Sequence, residues 1–374
     1  MLFIFKYLTF AAQQLGLLLH ADFSAIQIAL PIGISFFTFQ LLSYLFDIYY
    51  GKAKAQKSVL NVGLYIALFP QLIAGPIVRY DTIEQQIEHR QENLTDFSDG
   101  VLRFTYGLAK KVLIANHIAQ VADNVFAAGA PVSAATVWLG ALAYTLQIYF
   151  DFSGYSDMAI GLGKMFGFHF PENFNYPYIS RSATEFWRRW HISLGSWFRD
   201  YVYIPLGGNR VTRPRWVWNL FVVWALTGIW HGANWTFLVW GLFYFVLLLV
   251  ERLTHFPDHL GPLAHVYAMV AVVLGWTVFR SPNLTFAVGY LGQMFGIGNN
   301  GWADALTIEY LTGGWLVWLL GIVFSLPIVP WLRKRFGTSA LFTVGEPIAA
   351  AGIYVVSLLI CTASTYNPFI YFNF

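Results

Sequence analysis

Residues 216–250 read WVWNLFVVWALTGIWHGANWTFLVWGLFYFVLLLV and contain no Asp, Glu, Lys or Arg side chain. His231 lies between two apolar segments, 216–230 and 236–250. A helix that crosses a lipid bilayer needs about 20 mostly apolar residues, and glycines permit a break between two such helices. We therefore predict two membrane helices that meet at a short junction, with a single imidazole at that junction.

The composition of the whole chain also indicates a lipid environment. Of the 374 residues, 57% are hydrophobic and 11% are charged, and the mean hydropathy is +0.55, whereas soluble domains carry roughly 25% charged residues. The single cysteine, Cys361, cannot form an internal disulfide. The histidines are not grouped at metal-ligand spacing, and a net charge of +3 does not predict a nucleic-acid partner.

Further apolar segments recur along the chain. Clear candidates for membrane helices are residues 26–50, 59–78, 132–150, 263–279, 311–329 and 348–365, and weaker ones are 1–19 and 102–126. Residues 152–166 and 284–295 are too short, or too interrupted by glycine, to span the bilayer simply. We expect an all-α, multi-pass integral membrane protein of about ten to twelve helices, some of them re-entrant or interfacial, that forms one domain over residues 1–374.

Basic residues are concentrated in one region, since seven of the 22 Lys and Arg residues lie between Arg181 and Arg215. Short basic loops remain on the cytoplasmic side of a membrane. We therefore place this region inside the cell, together with smaller basic groups at residues 52–57, 110–111 and 333–335.

A Trp-rich segment within the basic region, residues 182–198, is predicted to be an amphipathic helix. Ser182 and Glu185 have the spacing of a capping box, and Glu185 and Arg189 are spaced for an (i, i+4) ion pair. The apolar face consists of Trp187, Trp190, Leu194 and Trp197. Such a helix is expected in the membrane interface, and the alternative is an ordinary cytoplasmic loop helix.

Ionisable residues within apolar segments are costly to insert and mark functional positions. His231 is the main candidate, because an imidazole acts as a general base near neutral pH. The alternative for His231 is a structural histidine that is hydrogen-bonded to a carbonyl group. Asn234 is the nearest polar side chain, three residues further on. His191 is the second candidate, and its alternative is a partly solvated side chain at the headgroup boundary.

A third group of polar side chains lies within residues 147–157. Gln147, Asp151 and Tyr155 recur every four residues and share one face of a helix. This pattern is consistent with a polar path through the membrane and equally with a structural hydrogen-bond network. Residues 70–76, PQLIAGP, predict a helix interrupted by Pro and Gly, and broken helices at membrane depth usually line a cavity.

At these positions the chain resembles the membrane-bound O-acyltransferases (MBOAT), in particular the bacterial branch that acts on alginate, peptidoglycan or teichoic acid. The matching segments are residues 31–40 (PIGISFFTFQ), 69–77 (FPQLIAGPI), 149–159 (YFDFSGYSDMA), 186–194 (FWRRWHISL), 197–201 (WFRDY), 204–210 (IPLGGNR), 230–232 (WHG) and 367–372 (NPFIYF). Their order and spacing make the match specific, and IPLGGNR favours the alginate-type branch.

The resemblance implies a helical bundle with a thinned centre, where a cytoplasmic and an outer funnel meet. It implies that His231 is the catalytic histidine and that His191 is the second polar residue of the site. Further candidates for lining or supporting the path are Asn234, Gln147, Asp151, Tyr155, Arg188 and Arg189. The implied donor is an acetyl thioester, acetyl-CoA, with no bound cofactor and no metal. The implied acceptor is a hydroxyl of an exported polysaccharide or of a periplasmic acetyltransferase partner.

The location implied by the resemblance is the bacterial cytoplasmic (inner) membrane, in contact with lipid. Family members carry one to three helices before the point at which this chain begins, which predicts that N-terminal helices of the family are missing. Peptidoglycan O-acetylation and D-alanyl transfer by the same fold are alternatives. A membrane transporter with His231, Asp151 and Asp157 as a proton or substrate path is the alternative from another class. The sequence shows no symmetry between its halves, which argues against a transporter.

Overall fold

The computed structural model describes residues 2–23, 28–73, 75–128, 131–298, 300–364, 366 and 368. Over these residues the chain forms helices, turns and loops, and no strand. The α-helices are α1 Leu8–Leu19, α2 Ile34–Tyr49, α3 Val59–Ala67, α4 Tyr80–Glu88, α5 Leu94–Ala109, α6 Asn116–Phe126, α7 Ala134–Met165, α8 Ala183–Arg189, α9 Ile192–Phe198, α10 Arg213–His231, α11 Trp235–Thr254, α12 Phe256–His259, α13 Leu263–Arg280, α14 Leu284–Met294, α15 Ala305–Gly313, α16 Trp315–Phe324, α17 Ile328–Phe336 and α18 Ala340–Ala363. Phe3–Tyr7, Lys110–Ala115 and Arg199–Tyr203 are π-helical, and Pro177–Ile179 is one turn of 3-10 helix.

The all-α prediction is confirmed, but the helices are divided differently from the prediction. Residues 132–150 and 152–166, predicted as separate segments, are joined in the single 32-residue helix α7, which begins at Ala134 and ends at Met165. Residues 311–329, predicted as one helix, are divided among α15, α16 and α17, with breaks at Gly314 and Pro327. Because of such breaks, the described residues form more helices than the ten to twelve expected.

Three helices among the described residues are long and apolar enough to cross a membrane: α11, α13 and the Phe342–Ala363 part of α18. α15 and α16 meet the same criterion as a pair and are bent by 65° at their junction, as in a broken span or a re-entrant loop. Phe3–Leu19 and α2 are shorter apolar helices. Fewer helices are therefore long enough to span than the sequence suggested, and of the described residues in the predicted segment 59–78 only Val59–Ala67 are helical.

The centre of the fold is α7, which packs against α5 at pairs of glycines. A Cβ atom on Gly100 would lie 2.6 Å from the carbonyl oxygen of Gly161, and one on Gly107 would lie 2.6 Å from that of Gly154. Small residues let helix backbones approach closely in membrane proteins. The glycines that suggested an interruption of residues 152–166 instead hold α7 against α5.

α10 and α11 form an antiparallel hairpin that carries His231 at its junction. The two helices approach closely at glycine, since a Cβ atom on Gly228 would lie 2.4 Å from the carbonyl oxygen of Phe237. α10 ends at His231, and the chain then passes through the extended residue Gly232 into α11. The predicted helix pair with an imidazole at its junction is confirmed, although of the two helices only α11 is among those long and apolar enough to cross a membrane.

Residues 182–198 form two short helices, α8 and α9, instead of one amphipathic helix. The break lies at His191, whose φ of 46° is left-handed. The predicted start is confirmed, since Ser182 Oγ accepts a hydrogen bond from the Glu185 N–H at 3.0 Å. The predicted ion pair between Glu185 and Arg189 is also present, at 2.9 Å.

The tryptophans of this segment form part of the protein core. Trp190 and Trp197 are buried, and the ring of Trp187 meets that of Trp240 edge-on at a centroid distance of 5.4 Å. The predicted apolar face therefore packs against other helices of the protein, whereas the apolar face of an interfacial helix would contact lipid.

Residues 68–79, which contain the PQLIAGP sequence, are not helical, and Ala74 within them lies outside the described residues. The Gln71 side chain is buried and donates from Nε2 to the Tyr65 carbonyl oxygen at 2.7 Å. The Ile77 N–H donates to Ser193 Oγ at 3.0 Å. The expected interruption is confirmed. The segment leads from α3 to α4 along the chain, and its hydrogen bonds to Tyr65 and Ser193 connect α3 with α9. The NPFIYF motif at residues 367–372 lies outside the described residues, apart from Pro368.

Candidate active site

The imidazole of His231 lies among aromatic rings at the C-terminal end of α10. Its ring centroid is 5.0 Å from those of Trp230 and Trp240 and 5.1 Å from that of Phe279, and each pair meets edge-on. These contacts on several sides limit the rotation of the ring. The side chain nevertheless remains partly exposed, because it also borders a cavity.

A cavity of about 140 Å³ lies beside His231. It is lined by Lys6, residues 30–36, Ile73, Trp230 and His231, and it is large enough for more than one water molecule. Residues that are distant in sequence therefore meet here: the N-terminal helix, the PIGISFF segment, the interrupted segment 68–79 and the end of α10. His231 is thus not sealed within apolar packing.

The N-terminal segment places two polar side chains against the last turn of α10. Lys6 Nζ donates to the Trp230 carbonyl oxygen at 2.6 Å and to Ser35 Oγ at 3.1 Å. Tyr7 donates from its hydroxyl to the Ile229 carbonyl oxygen at 2.8 Å. The last carbonyl groups of a helix have no partner within it, and these side chains satisfy two of them. Sequence reasoning missed Lys6, because no local pattern links it to residue 230.

The second candidate, His191, is enclosed at the junction of α8 and α9. It is 2% exposed, and its Nδ1 lies 3.1 Å from Asn173 Oδ1. The same oxygen accepts hydrogen bonds from the backbone N–H of Ser193 at 3.3 Å and from Ser193 Oγ at 2.8 Å. The alternative of a partly solvated side chain at the headgroup boundary is therefore not observed. Asn173 was also missed in the sequence, since it lies 18 residues from His191.

The hydrogen bonds around Asn173 determine which nitrogen of His191 carries the proton. A backbone N–H can only donate, so the Asn173 atom that it contacts is the amide oxygen. That oxygen can only accept, so Nδ1 of His191 is the N–H, and Nε2 of the neutral ring is an acceptor. Nε2 is buried and has no hydrogen-bond partner among the described residues. His191 therefore presents an acceptor nitrogen, and its neutral form has no spare donor for an oxyanion.

Trp230 lies between the two histidines. Its ring centroid is 5.0 Å from that of His231 and 6.2 Å from that of His191. Phe36, which lines the cavity, stacks on His191 at a centroid distance of 6.4 Å. The structure thus brings the two predicted site residues together around one shared indole.

Asn234 is the N-cap of α11. Its Oδ1 accepts a hydrogen bond from the Thr236 N–H at 3.1 Å, and its Nδ2 donates to the Pro282 carbonyl oxygen at 2.7 Å. An N-cap side chain satisfies a backbone N–H of the first turn. Asn234 therefore holds the start of α11 against the loop between α13 and α14, close in sequence to His231.

The polar face predicted on α7 is present. Gln147 and Asp151 are buried, and Asp151 Oδ1 lies 2.5 Å from Lys111 Nζ. Tyr155 is partly exposed. The ion pair connects α7 to the π-helical stretch between α5 and α6, and the residues that line the cavity beside His231 include none of these three. The contacts favour the structural network over the polar path.

The basic region presents a positively charged surface. Arg188 is exposed, whereas Arg189 binds Glu185 and donates to the Asn175 carbonyl oxygen at 3.2 Å. The other exposed arginines of the region are Arg181, Arg199, Arg210, Arg213 and Arg215. No group of three or more His, Cys, Asp or Glu side chains suited to a metal ion occurs in the described part of the chain.

Asp200 is the carboxylate that lies against this basic surface. It pairs with Arg79 at 2.8 Å and with Arg199 at 2.6 Å. Burial raises the pKa of Asp200, but the hydrogen bonds from Arg199 and Arg79 lower it by more, so its pKa lies below the usual value. Asp200 therefore stays ionised and offsets part of the charge of Arg79 and Arg199.

Comparison with known proteins gives matches along the chain. The model of the MBOAT, membrane-bound O-acyltransferase, family matches residues 53–257. A probable alginate O-acetylase AlgI of Azotobacter vinelandii is 40% identical over 99% of this chain and 82% of its own length. A peptidoglycan O-acetyltransferase of Helicobacter pylori is 36% identical over 78% of this chain and 62% of its own. A teichoic acid D-alanyltransferase of Bacillus subtilis is 31% identical over 58% of each chain.

These matches include the residues of the site. Both His191 and His231 lie inside the range 53–257, which is more than half of the chain. The matches also decide between the enzyme and the transporter, the two classes of protein that the sequence left as alternatives. The chain belongs to the membrane-bound O-acyltransferase family, and it is an O-acyltransferase of the membrane.

Proposed function

We propose that the protein transfers an acetyl group from acetyl-CoA to a hydroxyl of an alginate-type exported polysaccharide, or of a periplasmic acetyltransferase that acts on that polysaccharide. The acceptor class is supported by relatives named as alginate O-acetylases, which are 40% identical over 99% of the chain. The relatives named for peptidoglycan and teichoic acid are 36% and 31% identical over smaller shares. O-acetylation of peptidoglycan and D-alanyl transfer are the alternatives with the same fold.

The observation that carries the proposal is that His231 borders a cavity while aromatic rings hold its imidazole. His231 takes the proton of the acceptor hydroxyl as the hydroxyl oxygen attacks the thioester carbonyl carbon. The new C–O bond forms, the C–S bond breaks, and the thiolate of CoA leaves. The imidazolium then returns its proton to that thiolate, so the histidine ends the cycle neutral.

The remaining candidate residues have supporting roles in this proposal. His191 offers its Nε2 as a hydrogen-bond acceptor and orients the incoming hydroxyl. Asn234 maintains the junction that carries His231, while Gln147, Asp151 and Tyr155 stabilise the central helix α7. Arg188 and the neighbouring exposed arginines attract the anionic phosphates of acetyl-CoA. Arg189 stabilises α8 through its ion pair with Glu185. The protein needs no bound cofactor and no metal for this chemistry.

The proposed arrangement is one membrane domain over residues 1–374, in the bacterial cytoplasmic membrane. The bent pair α15–α16 is a re-entrant element of an MBOAT-type bundle, and the basic region lies on the cytoplasmic side, with α8–α9 near the membrane interface. The apolar helices and the rule that basic loops stay inside support this orientation. The donor then enters from the cytoplasm and the acceptor from the opposite side.

Replacement of His231 by alanine tests the proposal. We expect His231→Ala to lower acetyl transfer from labelled acetyl-CoA by roughly 10²–10⁴-fold, because general-base catalysis contributes about that factor. The measurement uses protein purified in detergent, with thermal unfolding checked, and acetylation of the surface polysaccharide in cells. The matched control is His259→Ala, since His259 is exposed and should show unchanged activity. Normal transfer by a folded His231→Ala protein would remove His231 from the chemistry.

A further inference from the structure

The cavity beside His231 contains a cation with no role in the transfer described above. Among the described residues that line this cavity, Lys6 carries the one cationic side chain. We propose that Lys6 is a catalytic residue, whose ammonium group stabilises the negative charge on the carbonyl oxygen of the acetyl thioester. The proposal rests on the proposed function, with His231 as the base.

The proposed acetyl transfer requires a hydrogen-bond donor near the carbonyl oxygen of the thioester. When the hydroxyl oxygen bonds to the carbonyl carbon, the C=O electron pair moves to the oxygen and produces an anionic tetrahedral intermediate. Donors that are already oriented toward this oxygen stabilise the transition state more than the ground state. In a low-dielectric site, a charged donor is stronger than a neutral one.

The side-chain N–H groups of the two other polar candidates, His191 and Asn234, are engaged elsewhere. The Nδ1–H of His191 is bound to Asn173 Oδ1, and the Nδ2 of Asn234 donates to the Pro282 carbonyl oxygen. The indole N–H groups of Trp230 and Trp240 have no partner among the described residues, but they carry no charge. Lys6 therefore combines a cationic donor with a position on the cavity of His231.

The contacts of Lys6 hold its ammonium group without cancelling its charge. An ammonium group has three N–H donors, and two of them are bound to the Trp230 carbonyl oxygen and Ser35 Oγ. Both partners are neutral, and no carboxylate pairs with Lys6 among the described residues. One N–H of the ammonium group remains for a ligand in the cavity. An unpaired cation in an apolar helix is costly to insert, which favours a functional reason for its presence.

Tyr7 provides a matched control for the structural part of this contact. Its hydroxyl caps the neighbouring carbonyl group of α10, that of Ile229, without carrying a charge. Loss of either side chain removes a cap from the same helix end, but only the loss of Lys6 removes a cation. A comparison of the two therefore separates helix capping from charge stabilisation.

The test measures kcat and KM for acetyl-CoA with the full chain purified in detergent. We expect Lys6→Met to lower kcat by about 10²–10³-fold, the usual effect of removing one oxyanion donor, with KM changed less than about 10-fold. Tyr7→Phe should keep kcat within about 10-fold of the original at a similar loss of thermal stability. Lys6→Arg, which keeps the charge, should retain more activity than Lys6→Met.

Several outcomes would overturn the proposal and leave His231 in place. Equal losses of kcat in Lys6→Met and Tyr7→Phe would reduce Lys6 to a helix cap, as would full activity of Lys6→Met. If Lys6→Met does not accumulate, Lys6→Gln replaces it, since glutamine removes the charge and keeps a neutral donor. A loss of kcat larger than that of Lys6→Arg is then expected, and full activity would overturn the proposal. A fully active His231→Ala protein would instead contradict the proposed function itself.

Discussion

The two histidines of the site differ in what their side chains can do. His231 borders the cavity and has aromatic neighbours, whereas His191 is buried and bound to Asn173. The contact with Asn173 places the proton on Nδ1 and leaves Nε2 as an acceptor. Two residues of the same type therefore have separate roles in the proposed site, a base at His231 and an orienting acceptor at His191.

The left-handed backbone of His191 yields a prediction at this scale. Left-handed φ costs most L-residues about 1–2 kcal/mol, and Asn is among the few that adopt it readily. We expect His191→Asn to be more stable than His191→Ala by about 1 kcal/mol, and both to lose acetyl transfer because the imidazole is gone. Thermal unfolding in detergent measures the difference. Equal unfolding temperatures would show that the conformation at φ 46° places no demand on the side chain.

At the level of helices, the contact between α5 and α7 depends on backbones that approach at glycine. Gly100 faces Gly161, and Gly107 faces Gly154. Both helices thus place glycine at positions seven residues apart, two turns along one face. A side chain at any of these four positions would meet a backbone carbonyl group, which cannot move away independently of its helix.

The substitution Gly107→Ala tests this contact. The added Cβ would lie 2.6 Å from the Gly154 carbonyl oxygen, and overpacking of this kind costs typically about 1–3 kcal/mol. We expect a lower unfolding temperature and less folded protein in the membrane. The control is Gly63→Ala in α3, where a Cβ would meet nothing within 4 Å and helix propensity favours alanine by about 1 kcal/mol. Equal stability of the two variants would exclude a tight contact at Gly107.

For the whole molecule, the ion pair between Lys111 and Asp151 joins the central helix α7 to the π-helical stretch Lys110–Ala115, which lies between α5 and α6. Both side chains are buried. Breaking a buried pair by removing one partner typically costs about 3–5 kcal/mol, whereas replacing both partners with apolar residues is often neutral. The pair is therefore expected to contribute to the correct assembly of the bundle.

A double-mutant cycle separates this structural role from a polar path. We expect Lys111→Met and Asp151→Leu each to lower stability and protein level, and the double variant to recover most of the stability and the acetyl transfer. The measurements are thermal unfolding and turnover of acetyl-CoA in detergent. A stable but inactive double variant would contradict the structural role and support a path that needs the charges.

Features that depend on neighbouring residues could be predicted from the amino-acid order. The low charge content predicted lipid as the solvent, the hairpin around His231 followed from two apolar runs, and the pair Glu185–Arg189 followed from helical spacing. The last two of these involve residues within a few turns of one another, and the first is a sum over the whole chain. The continuity of α7 could not be predicted, because the same glycines suit either a break or a close helix contact.

Contacts between distant segments were decided by the folded chain alone. Lys6 meets the Trp230 carbonyl oxygen across 224 residues, and Asn173 selects the protonated nitrogen of His191 through an oxygen that it shares with Ser193. Periodicity reports which face of a helix is apolar, but it carries no information on which other segment that face meets. The candidate base His231 was therefore visible in one short sequence motif. The positions of Lys6 and His191 beside it were decided by packing, because backbone carbonyl groups and buried polar atoms must find partners in the folded chain.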